Sequence, residues 1–220
     1  MKIFVVVPTF NEEKNIQDVL DNLKKNNYNN IIIIDDASQD ETVKLARIAG
    51  VKILEHKINR GQGAALQTGT DYAVKNNADI IVHFDGDGQF LAEEIKFLVE
   101  PIMYEKIDII LGSRFLKKNK NIPKLKKYII YPVSKIINTF FTGIKLTDVH
   151  CGFRALSKKA AEKININQDG MSHNTEIISQ IKKFKLKYRE VPVSVIYKEF
   201  GQGIKGGLNI LKELFFGKFL

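Results

Sequence analysis

The 220-residue chain is 44% hydrophobic, carries a formal net charge of +9 and has one cysteine, Cys151. That is enough apolar material for one domain with a proper core, and a lone cysteine excludes an internal disulfide and fits a reducing compartment. No run of ~18 uncharged apolar residues occurs, so no membrane-spanning helix is expected, and Met1–Pro8 reads as a first strand rather than a leader.

Ile3-Phe4-Val5-Val6-Val7 predicts a strand ending at Pro8, and Asn11-Glu12-Glu13 opens a helix to about Asn26 with Asn11 as its N-cap. Ile31–Ile34 is an unbroken apolar strand ending in Asp35-Asp36, and Ser38 or Asp40 starts a helix through Ala49. Val51–Leu54 is a third strand, followed by Asn59-Arg60-Gly61-Gln62-Gly63 and a helix to Asn76. Ile80–Phe84 is a fourth strand, and Ile107–Leu111 a fifth that ends in Gly112-Ser113-Arg114. Further on, Ser172-His173-Asn174 opens a helix carrying Glu176. Strands that are apolar on both faces and alternate with helices predict an α/β fold, a mostly parallel twisted sheet flanked by helices.

The positive charge is localised. Ile109–Thr147 contains no Asp or Glu and nine basic residues, which leaves 25 basic against 25 acidic residues in the rest of the chain. Apolar residues at spacings of three and four within this stretch make residues 117–141 a basic amphipathic segment, broken near Pro132. That combination points to a membrane surface rather than to nucleic acid, for which no aromatic cluster or signature is present. Residues 208–220 form a second greasy stripe (Leu208, Leu211, Leu214, Phe215, Phe216, Phe219), read as a membrane or partner contact.

The most informative motif is Asp85-Gly86-Asp87-Gly88-Gln89, at the end of the fourth strand. Ligands bind at strand C-termini in open α/β sheets, and paired carboxylates there suit a hard divalent cation beside a phosphate-bearing substrate. Asp-Gly pairs are also ordinary turn chemistry. The balance shifts because polar groups gather at the other strand ends too: Pro8-Thr9-Phe10-Asn11-Glu12, Asp35-Asp36 and Asn59-Arg60. Such a rim fits a nucleoside diphosphate. By contrast, Cys151 has no catalytic pairing beyond the adjacent His150, and the alternation of His83 with Phe84 is read as turning it away from Asp85.

These motifs, with Gly112-Ser113-Arg114-Phe115, Thr147-Asp148, Cys151-Gly152-Phe153-Arg154-Ala155 and Glu190-Val191-Pro192-Val193, resemble the inverting GT-A family 2 glycosyltransferases, closest to the dolichol-phosphate mannose synthase-like subgroup. The resemblance runs from the first strand to about Val195. It implies a GT-A fold in one domain: a nucleotide-sugar half (1–115), an acceptor half (116–195) and a C-terminal tail (196–220). It implies that Pro8, Phe10, Glu12, Asp36, Arg60 and Asp85 line the donor pocket, with Asp36 on the base. Asp85, Asp87 and Gln89 would hold Mg2+ or Mn2+, while Arg114 and Arg154 would face the acceptor phosphate and the developing charge. The implied activity is transfer of a hexose from GDP-mannose or a UDP-hexose, with inversion, to a polyprenyl (dolichyl or undecaprenyl) phosphate on the cytoplasmic membrane face. A small membrane-protein partner fits that setting. A hydroxyl acceptor in surface-polysaccharide synthesis would instead require a base, with Asp87, Asp148 or Glu176 as candidates. A non-catalytic membrane-binding protein is the remoter reading. Tyr197–Gly207 lacks the serine and the arginine usual in the subgroup, which turns the chain away from mannose and dolichol specifically.

Overall fold

The computed structural model describes residues 1–116, 139 and 142–196. The basic segment 117–141 (save 139), the run 197–207 and the stripe 208–220 lie outside the described residues. Seven strands form one sheet: β1 (Ile3–Thr9), β2 (Ile31–Asp35), β3 (Lys52–Glu55), β4 (Ile80–His83), β5 (Ile109–Ser113), β6 (Arg154–Ser157) and β7 (Tyr188–Pro192). The helices are α1 (Ile16–Lys25), α2 (Thr42–Ile48), α3 (Gln62–Lys75), α4 (Ile95–Glu105, after one 3-10 turn), α5 (Lys158–Ala161) and α6 (His173–Lys183).

Strand order is β3-β2-β1-β4-β6-β5-β7. β3, β2, β1 and β4 are mutually parallel neighbours, so the four strand ends read from the sequence do lie side by side. β6 is antiparallel to both β4 and β5 and separates them, with His83 opposite Arg154. Only three of its four residues are without charge, which hid it as a strand. Because it runs backwards, its first residue, not its last, arrives at the rim.

The sheet separates two apolar layers by simple alternation. Phe4, Val6, Ile32, Ile34 and Ile81 face the side covered by α3, α5 and α6, where Ala65, Ala160 and Ile177 pack. Val5, Val7, Ile31, Ile33, Ile80 and Val82 face the side covered by α1 and α4, where Leu20, Ile95 and Leu98 pack. α4 was not anticipated: Pro101 lies inside it and reads locally as a breaker.

The first helix begins later than its sequence suggests. Asn11 adopts a left-handed conformation (φ 56°) and α1 starts at Ile16. The amides that would open the helix are used elsewhere: Asn11 N–H donates to Ser38 Oγ (2.9 Å), Glu12 N–H to Thr42 Oγ1 (2.7 Å) and Glu13 N–H to Asp40 Oδ2 (3.1 Å). Asn11 Oδ1 accepts from Gln39 N–H at 2.8 Å. Asn11 therefore ties the β1 and β2 ends together rather than capping α1.

Beneath the rim on the α3 side lie two buried imidazoles. His83 Nε2 meets Thr70 Oγ1 at 2.9 Å, and His173 Nδ1 donates to the Gly170 carbonyl at 2.8 Å. Their remaining nitrogens, His83 Nδ1 and His173 Nε2, have no hydrogen-bond partner among the described residues. Burial holds His83 well below the usual imidazole range, and burial with the nearby Arg154 charge lowers His173 to about 3.

Both rings are thus neutral when folded, whereas the unfolded chain protonates them near pH 6.5. Stability is complete above that pH and is lost progressively as pH falls toward 3. Melting temperature should therefore drop steadily from pH 6.5 to 4, and His173→Gln should flatten part of that slope. A second test concerns packing. Gly69 of α3 lies against β1, and a Cβ there would stand 2.3 Å from Val6 Cγ1 and 3.0 Å from Ile34. Alanine in a helix interior ordinarily gains about 1 kcal/mol over glycine, but Val6 and Ile34 are fully buried and have nowhere to move. Gly69→Ala should instead destabilise by about 1–3 kcal/mol in urea unfolding.

Candidate active site

The rim is built by loops that follow parallel strands and are held by side-chain carboxylates. Asp36, just past β2 and 3% exposed, accepts from Arg60 N–H (2.9 Å), Gly61 N–H (2.6 Å) and His56 Nδ1 (2.7 Å). It folds the β3–α3 loop. The reason is that the loop passes β2 with unpaired amides, which require an acceptor. Arg60 projects from this loop and its Nη2 reaches Asp169 Oδ1 at 3.4 Å, linking it to the turn before α6. Pro8 is buried in register with Ile34, whereas the Phe10 ring is 45% exposed at the mouth.

Three carboxylates gather at the β1 and β4 ends. Asp85 receives Gln62 Nε2 at 2.7 Å from the first turn of α3, and Asp87 accepts Gln89 N–H at 2.9 Å. Gly152 lies against Asp85: a Cβ there would stand 2.8 Å from Oδ2. Desolvation and the Asp87 charge push Asp85 up to about 7, despite the opposing pull of Arg154 and Arg114. Glu12 is also raised, by desolvation first and by the Asp87 and Asp40 charges. Carboxylates so crowded hold a surplus of negative charge that a divalent cation would relieve. Among the described residues no three His, Cys, Asp or Glu side chains form a closed metal cage. Asp85 and Asp87 would supply one or two carboxylates to a cation whose shell substrate phosphate oxygens complete.

The two arginines occupy different positions. Arg114, just past β5, is clamped by Asp148: backbone N–H to Oδ2 at 3.1 Å, Nε to Oδ2 at 2.6 Å and Nη2 to Oδ1 at 2.7 Å. Its side chain remains partly exposed (14%) while that of Asp148 is 1% exposed. Arg154 is enclosed at 2% exposure, with Nε on the Gly152 carbonyl and Nη2 on the Cys151 carbonyl and Asn174 Oδ1. Burial lowers it to about 10, so it stays charged at neutral pH. Its charge opposes the rise of Asp85.

The other candidates resolve by contact. Glu176 accepts Asn167 N–H and Gln168 N–H, each at 2.9 Å, and Asn167 Nδ2 at 3.0 Å, which braces the turn before α6. Burial raises the Cys151 thiol to about 12 and leaves it unreactive. His83 lies on the α3 side, the side from which Gln62 reaches Asp85, so alternation does not separate the two; its ring is taken up by Thr70. Sequence reasoning assigned no role to Gln62, Asn174 or Glu190. Each falls within a quoted motif, but its partner is distant in the chain.

Comparisons with known proteins agree with this geometry. The model of a family described as glycosyl transferase family 2 matches residues 4–165. The chain is 40% identical to the uncharacterized protein MJ1222 of Methanocaldococcus jannaschii, over 99% of this chain and 92% of that one. It is 34% identical to the UDP-N-acetylglucosamine–dolichyl-phosphate N-acetylglucosaminyltransferase of Methanococcus voltae, covering 95% and 90%. Among solved structures, glucosyl-3-phosphoglycerate synthase from Mycobacterium tuberculosis, in complex with Mn2+, UDP and glucosyl-3-phosphoglycerate, superposes with a TM-score of 0.75 at 16% identity, covering 99% and 79%. The sheet and its flanking helices are thus those of the GT-A fold. With an Asp-Gly-Asp turn at the end of β4 and matched motifs along the chain, this protein belongs to glycosyl transferase family 2.

Proposed function

We propose that the enzyme transfers a hexose from a nucleoside diphosphate sugar to a polyprenyl phosphate at a membrane surface, inverting the anomeric carbon. The observation that carries this reading is that two of the three candidate general bases are committed to structure. Asp148 is nearly inaccessible and clamped on Arg114, and Glu176 is turned onto the 167–168 backbone. A hydroxyl acceptor must lose a proton as it attacks. A phosphate monoester is already largely ionised at pH 7, its second pKa being about 6. Its oxygen forms the new bond to the anomeric carbon as the bond to the nucleoside diphosphate breaks, and no proton has to be removed. The name of the Methanococcus voltae relative, with UDP-N-acetylglucosamine as donor and dolichyl phosphate as acceptor, supports the same chemistry.

In this reading Phe10 and Glu12 line the donor pocket with Pro8 behind them, and Arg60 closes its α3 side. Asp85, Asp87 and Gln89 hold Mg2+ or Mn2+. The metal, when bound, neutralises charge on the departing diphosphate. Arg114 contacts phosphate from its exposed edge, and Arg154 offsets the negative charge from behind. Asp36 bears on the nucleotide through the loop it folds.

Membrane attachment is assigned to residues 117–141 and 208–220 from their sequence, on the cytoplasmic face, with room for a small membrane-protein partner. No helix among the described residues is long and apolar enough to cross a membrane. Position supports the assignment. The described chain reaches Leu116 two residues past Arg114, and Ile196 donates its N–H to the Gln89 carbonyl at 2.9 Å. The described residues that precede 117 and 197 therefore lie at the site rim.

The deciding experiment incubates the protein and Mn2+ with UDP-N-acetylglucosamine, UDP-glucose or GDP-mannose and undecaprenyl or dolichyl phosphate, and follows sugar into the organic phase. Acid-labile, lipid-linked sugar from one donor is expected. Sugar passed only to hydroxyl acceptors would overturn the reading. Asp87→Ala should lose the Mn2+-dependent rise in melting temperature with the matching nucleotide, and its turnover should fall about 100–1,000-fold. Glu176→Gln should retain transfer within about threefold, whereas loss of a general base would lower it by roughly 10²–10⁴.

A further inference from the structure

The arginine nearest the open site depends on a residue of the neighbouring strand. Glu190 lies in β7, in register with Leu111 of β5. One carboxylate takes four hydrogen bonds from the Thr147-Asp148 turn: Thr147 N–H to Oε1 (2.8 Å) and Oε2 (2.9 Å), Thr147 Oγ1 to Oε1 (2.7 Å), and Asp148 N–H to Oε1 (3.1 Å). Ser113 Oγ meets Thr147 Oγ1 at 2.6 Å and fixes the turn against the end of β5. The turn then presents Asp148, whose two oxygens grip the backbone and guanidinium of Arg114. The chain of contact is therefore Glu190 to the Thr147-Asp148 amides, Asp148 to Arg114, and Arg114 to the carboxylate pair whose charge it offsets.

Glu190 does more than join strands. β5 and β7 already pair through backbone over five residues, Ile109–Ser113 against Tyr188–Pro192, so the sheet does not need this carboxylate. The turn does need it, because two consecutive amides and a hydroxyl converge where only a group with two acceptor oxygens can satisfy them. We propose that Glu190 is a positioning residue for sugar transfer, setting the angle of the Arg114 guanidinium through the Thr147-Asp148 turn. This rests on the reading of Arg114 as a phosphate contact.

Glu190→Gln is the probe, since it keeps the shape and replaces one acceptor oxygen by an N–H₂ facing the Thr147 amide. Turnover should fall about 10–100-fold, the range seen when groups that orient a ligand are altered, while KM for the nucleotide sugar changes less than threefold. In an Arg114→Lys background the same substitution should have almost no further effect, because the group it orients is gone. Penalties that multiply would overturn the proposal and leave Glu190 as a sheet strut. A readout independent of activity is the Nε–H resonance of Arg114 in ¹⁵N NMR, assigned by its loss in Arg114→Lys. Glu190→Gln should move or broaden that signal and leave the buried Arg154 signal in place. An unmoved Arg114 signal would overturn the link itself. Wild-type protein that transfers no sugar while the signal still responds would overturn the functional reading, and the catalytic half of the proposal with it, but not the structural link.

Discussion

Asp85 and Asp87 stand one residue apart on a turn, with Glu12 across from them, and like charges this close oppose one another whatever else the protein does. The surrounding structure answers that repulsion. Arg154 is taken out of water entirely and held behind Asp85, although burying a guanidinium is expensive unless its donors are satisfied. Nε and Nη2 are held by two carbonyls and Asn174. Arg114 stands on the open side and is anchored by its own carboxylate. The close fit of Gly152 on Asp85 follows from the same need, since it lets the backbone leading to Arg154 press against the charge it must balance. What remains is a deficit of positive charge at the mouth, which a cation arriving with a diphosphate would remove.

A second theme is how many acidic residues serve the backbone rather than the substrate. Asp36 gathers the amides of the β3–α3 loop, Glu176 those of the turn before α6, Glu190 those of the Thr147-Asp148 turn, and Glu94 takes both Ser194 N–H and Ser194 Oγ at 2.7 and 2.8 Å. Loops at the rim cannot pair their amides as strands do, and a carboxylate with two oxygens is a compact substitute. Rigid loops made this way keep catalytic groups in place without lengthening any strand or helix. The same habit removes candidate bases from circulation, which narrows the chemistry to an acceptor that brings its own charge.

β1, β2, β4 and β5 were legible in the sequence because burial on both faces leaves an apolar run, β3 was legible as a shorter edge strand, and so was the convergence of the first four strand ends. β6 was not, since a four-residue strand opening on arginine looks like a loop until its antiparallel neighbours supply the pairing. α4 was masked by Pro101, whose local tendency is overridden by packing against β5 and β6. Asn11 misled for the opposite reason. Its capping chemistry is genuine, but it is exercised on residues 38 and 39 instead of on the next turn of its own chain. The Asp85-Gly86-Asp87 turn stood out by its place at a strand end, and its assignment to a metal came from the family resemblance. Which amide each acid would serve could not be read, because Glu190 and Thr147 are 43 residues apart and only the fold brings them together.

The reversed direction of β6 also governs the order in which the sheet can be completed during synthesis. β3, β2, β1 and β4 use only the first 83 residues and can zip as consecutive parallel units. β5 is made next, yet it has no place beside β4 until Arg154–Ser157 has emerged to lie between them. For that interval β4 keeps an exposed edge, and a nascent chain with such an edge is open to pairing with another copy of itself. The strand that closes the edge is the one that delivers Arg154. The vulnerable period therefore ends in the same step that gives the acidic cluster its buried counter-charge.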